Sequence, residues 1–256
     1  MIAPERLARL LEIVAARQKV SVADLQGETG VSPATLRRDL TALEAAGKIV
    51  RVHGAVVHPA FFRGEASFAQ KKRENIGAKR AMARAAAELV PPKTSVFVDG
   101  GSSCLEVGIL LLARRDLTIF TPSIPLAARA HEAAESAKIV VLGGEVRAVS
   151  GATTGALALS WLQNLRADCA ILGASALDQN GAWTTEIGEA ATKSAMIARA
   201  KTRILVADTR KWNCNASTRF AAWSDFEWLV CGGDADENLR ATTEKLGPRV
   251  VWGTEK

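Results

Sequence analysis

Three stretches of this chain gather groups that can bind an anion or move a proton: Asp99-Gly100-Gly101-Ser102-Ser103, Asp208-Thr209-Arg210-Lys211, and the pair Glu186 and Lys193. Glycine lets the backbone approach a phosphate or carboxylate closely, and Ser102 and Ser103 would add hydroxyl donors at the start of a helix. Lys193 follows Glu186 by seven residues, about two helical turns, so a helix opening at Ile187 carries the lysine while Glu186 stands at its entrance. Two readings stay open. The three residues Glu186, Glu189 and Lys193 form either part of a binding or acid–base set, or a solvated face with an i,i+4 ion pair, and spacing alone favours the second. No GxSxG elbow, P-loop, HExxH or GxGxxG motif accompanies them. Cys104, Cys169, Cys214 and Cys231 include no CxxC, and His53, His58 and His131 form no ligand motif with them. Free thiols, no structural zinc and no cofactor are expected.

The elements that must position these groups are legible from residue 94 onward. Short apolar runs, TSVFVD, LTIFT, KIVVLGG, DCAILGAS, RILVADT, EWLVCGG and RVVW, alternate with helical stretches near 103–115, 123–136, 187–201 and 234–246. That alternation predicts a parallel α/β sheet. Open sheets of this kind bind ligands beyond the C-terminal ends of their strands. The ends here are polar or glycine-rich: the Asp99–Ser103 stretch, Thr121-Pro122-Ser123, Gly143-Gly144, Gly173-Ala174-Ser175 and the Asp208–Lys211 stretch. One glycine-rich turn is more often only a turn. Several aligned on one sheet edge point to a small anionic ligand.

The first third of the chain has a different character. Residues 1–80 hold 14 Lys/Arg against 8 Asp/Glu, whereas residues 81–256 hold 19 of each, so the whole net charge of +6 sits at the N-terminal end. Such a basic segment suits a phosphate backbone or an anionic membrane surface. From Pro4 to about Arg17, Leu7, Leu10, Leu11 and Val14 recur at helical spacing. Ser21 can cap a second helix that Gly30 ends, and Ser32 with Pro33 opens a third that stops before Gly47. Leu36, Leu40 and Leu43 share one face of that third helix. Ser32, Thr35 and Arg38 lie away from it and Arg37 flanks it. Two helices joined by a tight turn, the second polar near its start, make a helix-turn-helix, and KIVRVHGAVV (48–57), with Arg51 and His53, supplies a β wing. Residues 58–72 have no clear period and predict a linker, and 74–90 return to helix. At 256 residues and 48% hydrophobic, the chain can build one large or two unequal cores. Without an apolar run of about 18 residues or a signal peptide, it is expected in the cytoplasm and not in a membrane.

SPATLRRDLTALEAAGKIVRVHGAV, preceded by Arg6, is similar to the helix-turn-helix and wing signature of the DeoR family of bacterial transcriptional regulators. The resemblance continues through KRENIGAKRAMARAAAELV, VFVDGGSSCLEVGILL, TIFTPS, VVLGGEVR, ADCAILGASALD, TTEIGEAATKSAMIARA and ILVADTRKW, from about residue 4 to about 232. Ala55 replaces the usual second wing glycine, Pro122 a usual asparagine, and Arg210 a frequent serine, while Ser102 and Ser103 stand where threonines are common. The resemblance implies a mixed α/β chain with a winged helix-turn-helix at 1–58, a linker at 59–73, and at 74–256 an effector-sensing and oligomerisation domain. That last domain is expected to be a mostly parallel sheet like the ribose-phosphate isomerase fold. It further implies a repressor of a sugar-metabolism operon whose partners are double-stranded operator DNA, a phosphorylated sugar or related metabolite, and further copies of the chain in a homodimer or homotetramer. Ser32, Thr35, Arg37, Arg38, Arg51 and His53 are then expected at DNA. Asp99, Gly100, Gly101, Ser102, Ser103, Ser123, Gly143, Gly144, Glu186, Lys193, Asp208 and Lys211 are expected around one effector pocket, with Lys193 or Lys211 facing a phosphate and Asp99 or Asp208 a sugar hydroxyl. The alternative is a sugar-phosphate isomerase with an accessory basic domain, in which Asp99, Glu186 and Lys193 do acid–base work.

Overall fold

The computed structural model describes residues 3–17, 19–52, 54–59, 67–133 and 136–254, apart from the Asn213 side chain. They divide into two compact units, 1–75 and 76–256.

In the first unit α1 (Ala3–Arg17), β1 (Lys19–Ser21), α2 (Val22–Thr29), α3 (Pro33–Ala45), β2 (Val50–Val52), β3 (Ala55–Val57) and α4 (Phe68–Arg73) follow one another. The caps are those the residue types favour. Ser21 Oγ accepts the Asp24 N–H at 3.0 Å, Gly30 ends α2 at φ 64°, and Ser32 Oγ accepts the Thr35 N–H at 3.3 Å with Pro33 opening α3. Leu10, Ile13 and Val14 of α1 pack with Leu25, Leu36, Leu40 and Leu43 into one core. β1, β3 and β2 form an antiparallel sheet with β3 in the middle, so the wing gains a strand from the segment before α2. Part of the expected linker is helical. Ser67 and Gln70 form a reciprocal capping box at the start of α4, and Gln70 Nε2 donates to the Arg51 carbonyl at 2.6 Å and to Glu44 Oε1 at 3.2 Å. The Ser-x-x-Gln spacing that marks such a start stood in the sequence.

The second unit runs α5 (Ile76–Glu88), β4 (Ser95–Val98), α6 (Ser102–Leu112), β5 (Thr118–Thr121), α7 (Ile124–Glu132), β6 (Lys138–Val141), β7 (Glu145–Arg147), β8 (Ala152–Thr154), α8 (Ala156–Gln163), β9 (Ala167–Gly173), β10 (Ala176–Asp178), β11 (Gly181–Thr184), α9 (Ile187–Arg199), β12 (Ala200–Asp208), β13 (Thr218–Ala221), β14 (Trp228–Gly232), α10 (Glu237–Glu244) and β15 (Arg249–Trp252). The seven apolar runs become one parallel sheet in the order β15-β14-β12-β9-β4-β5-β6. β4 and β9 are buried along most of their length and β12 over its second half, as a sheet covered on both faces requires. Two smaller pieces were not evident from periodicity: the β7–β8 hairpin and an antiparallel sheet in the order β10-β11-β13. Strands of three or four residues are too short for an alternating pattern to stand out.

Candidate functional site

Helix α3 turns Leu36, Leu40 and Leu43 inward and leaves Ser32, Arg37 and Arg38 exposed, with Thr35 half-buried. Asp39, on the inner side, receives the Arg6 guanidinium, with Nη2 to Oδ1 at 3.0 Å, which ties α1 to α3 and fixes which face α3 presents. Arg51 leans back from the wing toward α3, with Nη1 3.4 Å from Thr41 Oγ1 and 4.0 Å from Glu44 Oε2. Gly54, at φ 69°, makes the turn between β2 and β3, and its carbonyl accepts the Val22 N–H at 2.9 Å, anchoring the wing to α2. His53 lies outside the described residues. An exposed pair of guanidinium groups over a rigid apolar base is suited to phosphates and to the O6/N7 edge of guanine.

In the second unit the register brings the ends of β4, β9 and β12 side by side, and Lys193 reaches them from α9. Its exposure is 6%, which overturns the solvated-face reading. The stripe Ala190, Lys193, Met196 and Ile197 is the face that α9 buries, so the lysine points at the sheet. Its ammonium bonds Asp99 Oδ2 and donates to the Gly173 carbonyl at 3.0 Å, with the Phe220 ring centroid 5.3 Å away. Asp99 also accepts the Gly173 N–H at 3.1 Å. Burial pushes the Asp99 carboxyl up against the pull of Lys193. Burial alone would lower the lysine, but Asp99, Cys104 and Glu189 together raise it. Glu189 does not pair with Lys193. It takes Arg147 Nη1 at 3.1 Å and the Thr184 hydroxyl at 3.3 Å. Glu186 stands at the helix entrance as expected, but as the N-cap of α9, its two oxygens accepting the Gly188 and Glu189 N–H groups at 2.9 and 2.7 Å. A carboxylate so held is positioned as a cap rather than as an acid or base.

The other strand ends fall into two groups. After β4, Gly100 lies so close beneath β8 that an added Cβ would sit 2.9 Å from that of Ala152, and Gly101, at φ 96°, precedes α6 without a capping side chain. Among the described residues no side chain caps the first N–H groups of α6, and Ser102 and Ser103 stand beside them. Ser123 is buried and caps α7, its Oγ accepting the Leu126 N–H at 3.2 Å. After β12, Asp208 accepts the Arg210 backbone N–H at 3.1 Å and its guanidinium through Nε and Nη2, each at 3.3 Å. Burial would raise Asp208, yet Lys211, Arg210 and Lys79 together hold it below the usual carboxylate range. Lys79 was not among the expected site residues, because an Ala- and Arg-rich helix surrounds it in sequence.

One pocket does not take in every expected residue. β6 lies four strand spacings from β12, about 19 Å, so Gly143 and Gly144 are far from Asp208 and Lys211. Gly144 serves the β7–β8 hairpin instead: at φ 142°, it lets the Thr154 carbonyl approach to where a Cβ would be 2.3 Å away. The hairpin in turn is laid over the ends of β4 and β5, through Thr153 N–H to Pro122 O at 2.9 Å and Ile124 N–H to Gly151 O at 3.0 Å.

Residues 6–60 match the DeoR-like helix-turn-helix domain, and residues 74–233 match the DeoR C terminal sensor domain. The chain is 32% identical over 257 residues to the HTH-type transcriptional regulator GlpR of Haloferax volcanii, covering 100% of both. It is 30% identical over 216 residues to the glycerol-3-phosphate regulon repressor of Escherichia coli K12, covering 84% of this chain and 85% of that one. Among solved structures, a D-ribose-5-phosphate isomerase in complex with phospho-erythronic acid is similar over 52% of each chain, at 18% identity and a TM-score of 0.39. The chain belongs to the DeoR family of helix-turn-helix transcriptional regulators.

Proposed function

We propose that the protein represses a sugar-metabolism operon, holding operator DNA through α3 and the wing and releasing it when a phosphorylated sugar or related metabolite occupies the sensor unit. The observation that carries the reading is the exposed Arg37–Arg38 pair on a helix whose opposite face is locked by Leu36, Leu40 and the Arg6–Asp39 pair, in a chain that matches the Haloferax volcanii regulator over its full length. Ser32, Thr35, Arg37, Arg38, Arg51 and His53 are assigned to the DNA face. Cationic contacts to phosphates supply affinity that falls with salt, and α3 supplies discrimination in the major groove.

For the effector, the phosphate is assigned to the start of α6, where Gly100, Gly101, Ser102 and Ser103 present N–H and hydroxyl donors. Lys211 faces the ligand from the neighbouring edge. Lys193 is given a different part from the one its sequence position suggested: bonded to Asp99, it shapes the floor of the site instead of meeting the phosphate. Effector binding changes operator affinity only by its preference for the DNA-incompetent state, and a two-fold or four-fold assembly lets two α3 helices engage two half-sites. The protein acts as a cytoplasmic regulator and not as an isomerase.

The test is fluorescence anisotropy with labelled DNA from upstream of the protein's own gene and its neighbours, across salt and with a panel of sugar phosphates. Salt-sensitive, sequence-selective binding relieved by one of them supports the reading. No binding at low salt, or steady isomerisation of a pentose or hexose phosphate, overturns it.

A further inference from the structure

The last turn of α3 holds a residue that the helix dipole disfavours. Glu44 stands there, where a carboxylate meets the negative end of the dipole, and it is 9% exposed. A buried charge is costly unless it is paired or hydrogen-bonded. Two groups from other elements meet this one. Gln70 Nε2, from α4, donates to Glu44 Oε1 at 3.2 Å, and Arg51 Nη1, from the wing strand β2, lies 4.0 Å from Oε2.

Gln70 reaches further than Glu44. The same Nε2 donates to the Arg51 carbonyl at 2.6 Å, on the strand at the edge of the three-stranded sheet, and Gln70 Oε1 accepts the Ser67 N–H at 2.9 Å. One side-chain amide thus ties α4 to both α3 and β2. Arg51 is held twice, at its backbone directly and at its guanidinium through Glu44. Its Nη1 also lies 3.4 Å from Thr41 Oγ1, and the Thr41 hydroxyl donates to the Arg37 carbonyl at 2.7 Å. Thr41 follows Arg37 by about one helical turn and both are exposed, so the wing arginine is set beside the face of α3 that carries Arg37.

We propose that Gln70 is a positioning residue for DNA binding: acting through Arg51, it keeps the wing cation in place beside Arg37, so the DNA face is completed by α4 and does not end with the wing. This rests on the assignment of Arg51 to that face above. A long cationic side chain that is already ordered loses less freedom when it meets a phosphate.

The experiment measures DNA binding of the full-length protein by fluorescence anisotropy, on the DNA that the wild type binds from upstream of its own gene and its neighbours. Two variants, Gln70→Met and Gln70→Glu, each remove both N–H donors. Methionine adds no charge, and glutamate keeps an acceptor for the Ser67 N–H. Both should weaken binding about tenfold, the scale of one charge-assisted contact, with the thermal midpoint followed by helical circular dichroism little changed. Arg51→Ala should weaken binding by a similar factor. In the Arg51→Ala background Gln70→Met should add little, because a residue that acts through another makes no separate contribution. Wild-type affinity in both Gln70 variants, or losses that multiply in the double variant, overturn the inference. So does a parallel loss of binding and of the thermal midpoint in both, which would make Gln70 a structural cap. A wild type that binds no DNA, or an Arg51→Ala variant that binds as the wild type does, instead removes the DNA-face assignment on which the inference rests.

Discussion

Replacing Lys193 by methionine should damage the sensor unit before it damages sensing. The two side chains of the Lys193–Asp99 pair are 7% and 5% exposed, so Lys193→Met strands a carboxylate whose remaining bond among the described residues is the Gly173 N–H. Removing one partner of a buried ion pair costs about 3–5 kcal/mol, a large share of a typical domain's 5–15 kcal/mol. The double variant Lys193→Met/Asp99→Asn removes both charges and should recover most of that loss, because a buried pair and a neutral replacement are nearly equal in stability. The assay is urea unfolding followed by tryptophan emission. All six tryptophans, residues 161, 183, 212, 223, 228 and 252, lie in the second unit, so the signal belongs to it alone. In the single variant the Asp99 pKa, already raised by burial, rises further. The variant is then relatively most stable below pH 4 and loses ground as pH rises through the folded pKa. A loss under about 1 kcal/mol, or a double variant no more stable than the single, would refute the buried-pair account.

Other outcomes follow from individual contacts. Arg38→Ala should weaken operator binding by about 1–3 kcal/mol in anisotropy titrations without lowering the thermal midpoint followed by helical circular dichroism; equal losses on operator and random DNA would make it a phosphate contact. Asp168 receives the Lys201 ammonium at 2.8 Å and the Ser95 N–H at 3.0 Å, which lower its pKa to about 2. Its stabilisation is therefore complete above pH 4 and lost as pH falls through about 2. At 35% side-chain exposure, solvent screening reduces the effect to about 1 kcal/mol, so Asp168→Asn should lose that much at pH 7 in urea unfolding and progressively less as pH falls through about 2. Gly232→Ala would place its Cβ 2.6 Å from Met82 Cγ and 2.7 Å from the Ala78 carbonyl, and overpacking of that kind should cost about 1–3 kcal/mol in the same assay.

The sequence by itself determined whatever is written in neighbouring residues. Ser32 and Pro33 open α3 because a hydroxyl can accept the N–H three residues on and proline lacks one to leave unsatisfied. The seven apolar runs are strands because a sheet covered on both faces needs uninterrupted apolar side chains. Glu186 and Lys193 fell on the helix they were expected on, with the glutamate at its mouth.

Tertiary structure alone decided what those residues meet. Spacing made Glu189 the natural partner of Lys193, yet α9 turns the lysine to the sheet, and Asp99, remote in sequence, waits at the end of β4. The strand order β12-β9-β4 sets Arg210 and Ser102 on one edge and puts Gly143 and Gly144 out of reach. Helix α5 brings Lys79 to Asp208 because Gly232 lets the Ala78 carbonyl come close. Local periodicity reports which face of an element is apolar. Which elements become neighbours depends on how all the apolar faces are buried at once, so the partner of a buried charge is fixed only when the whole core closes.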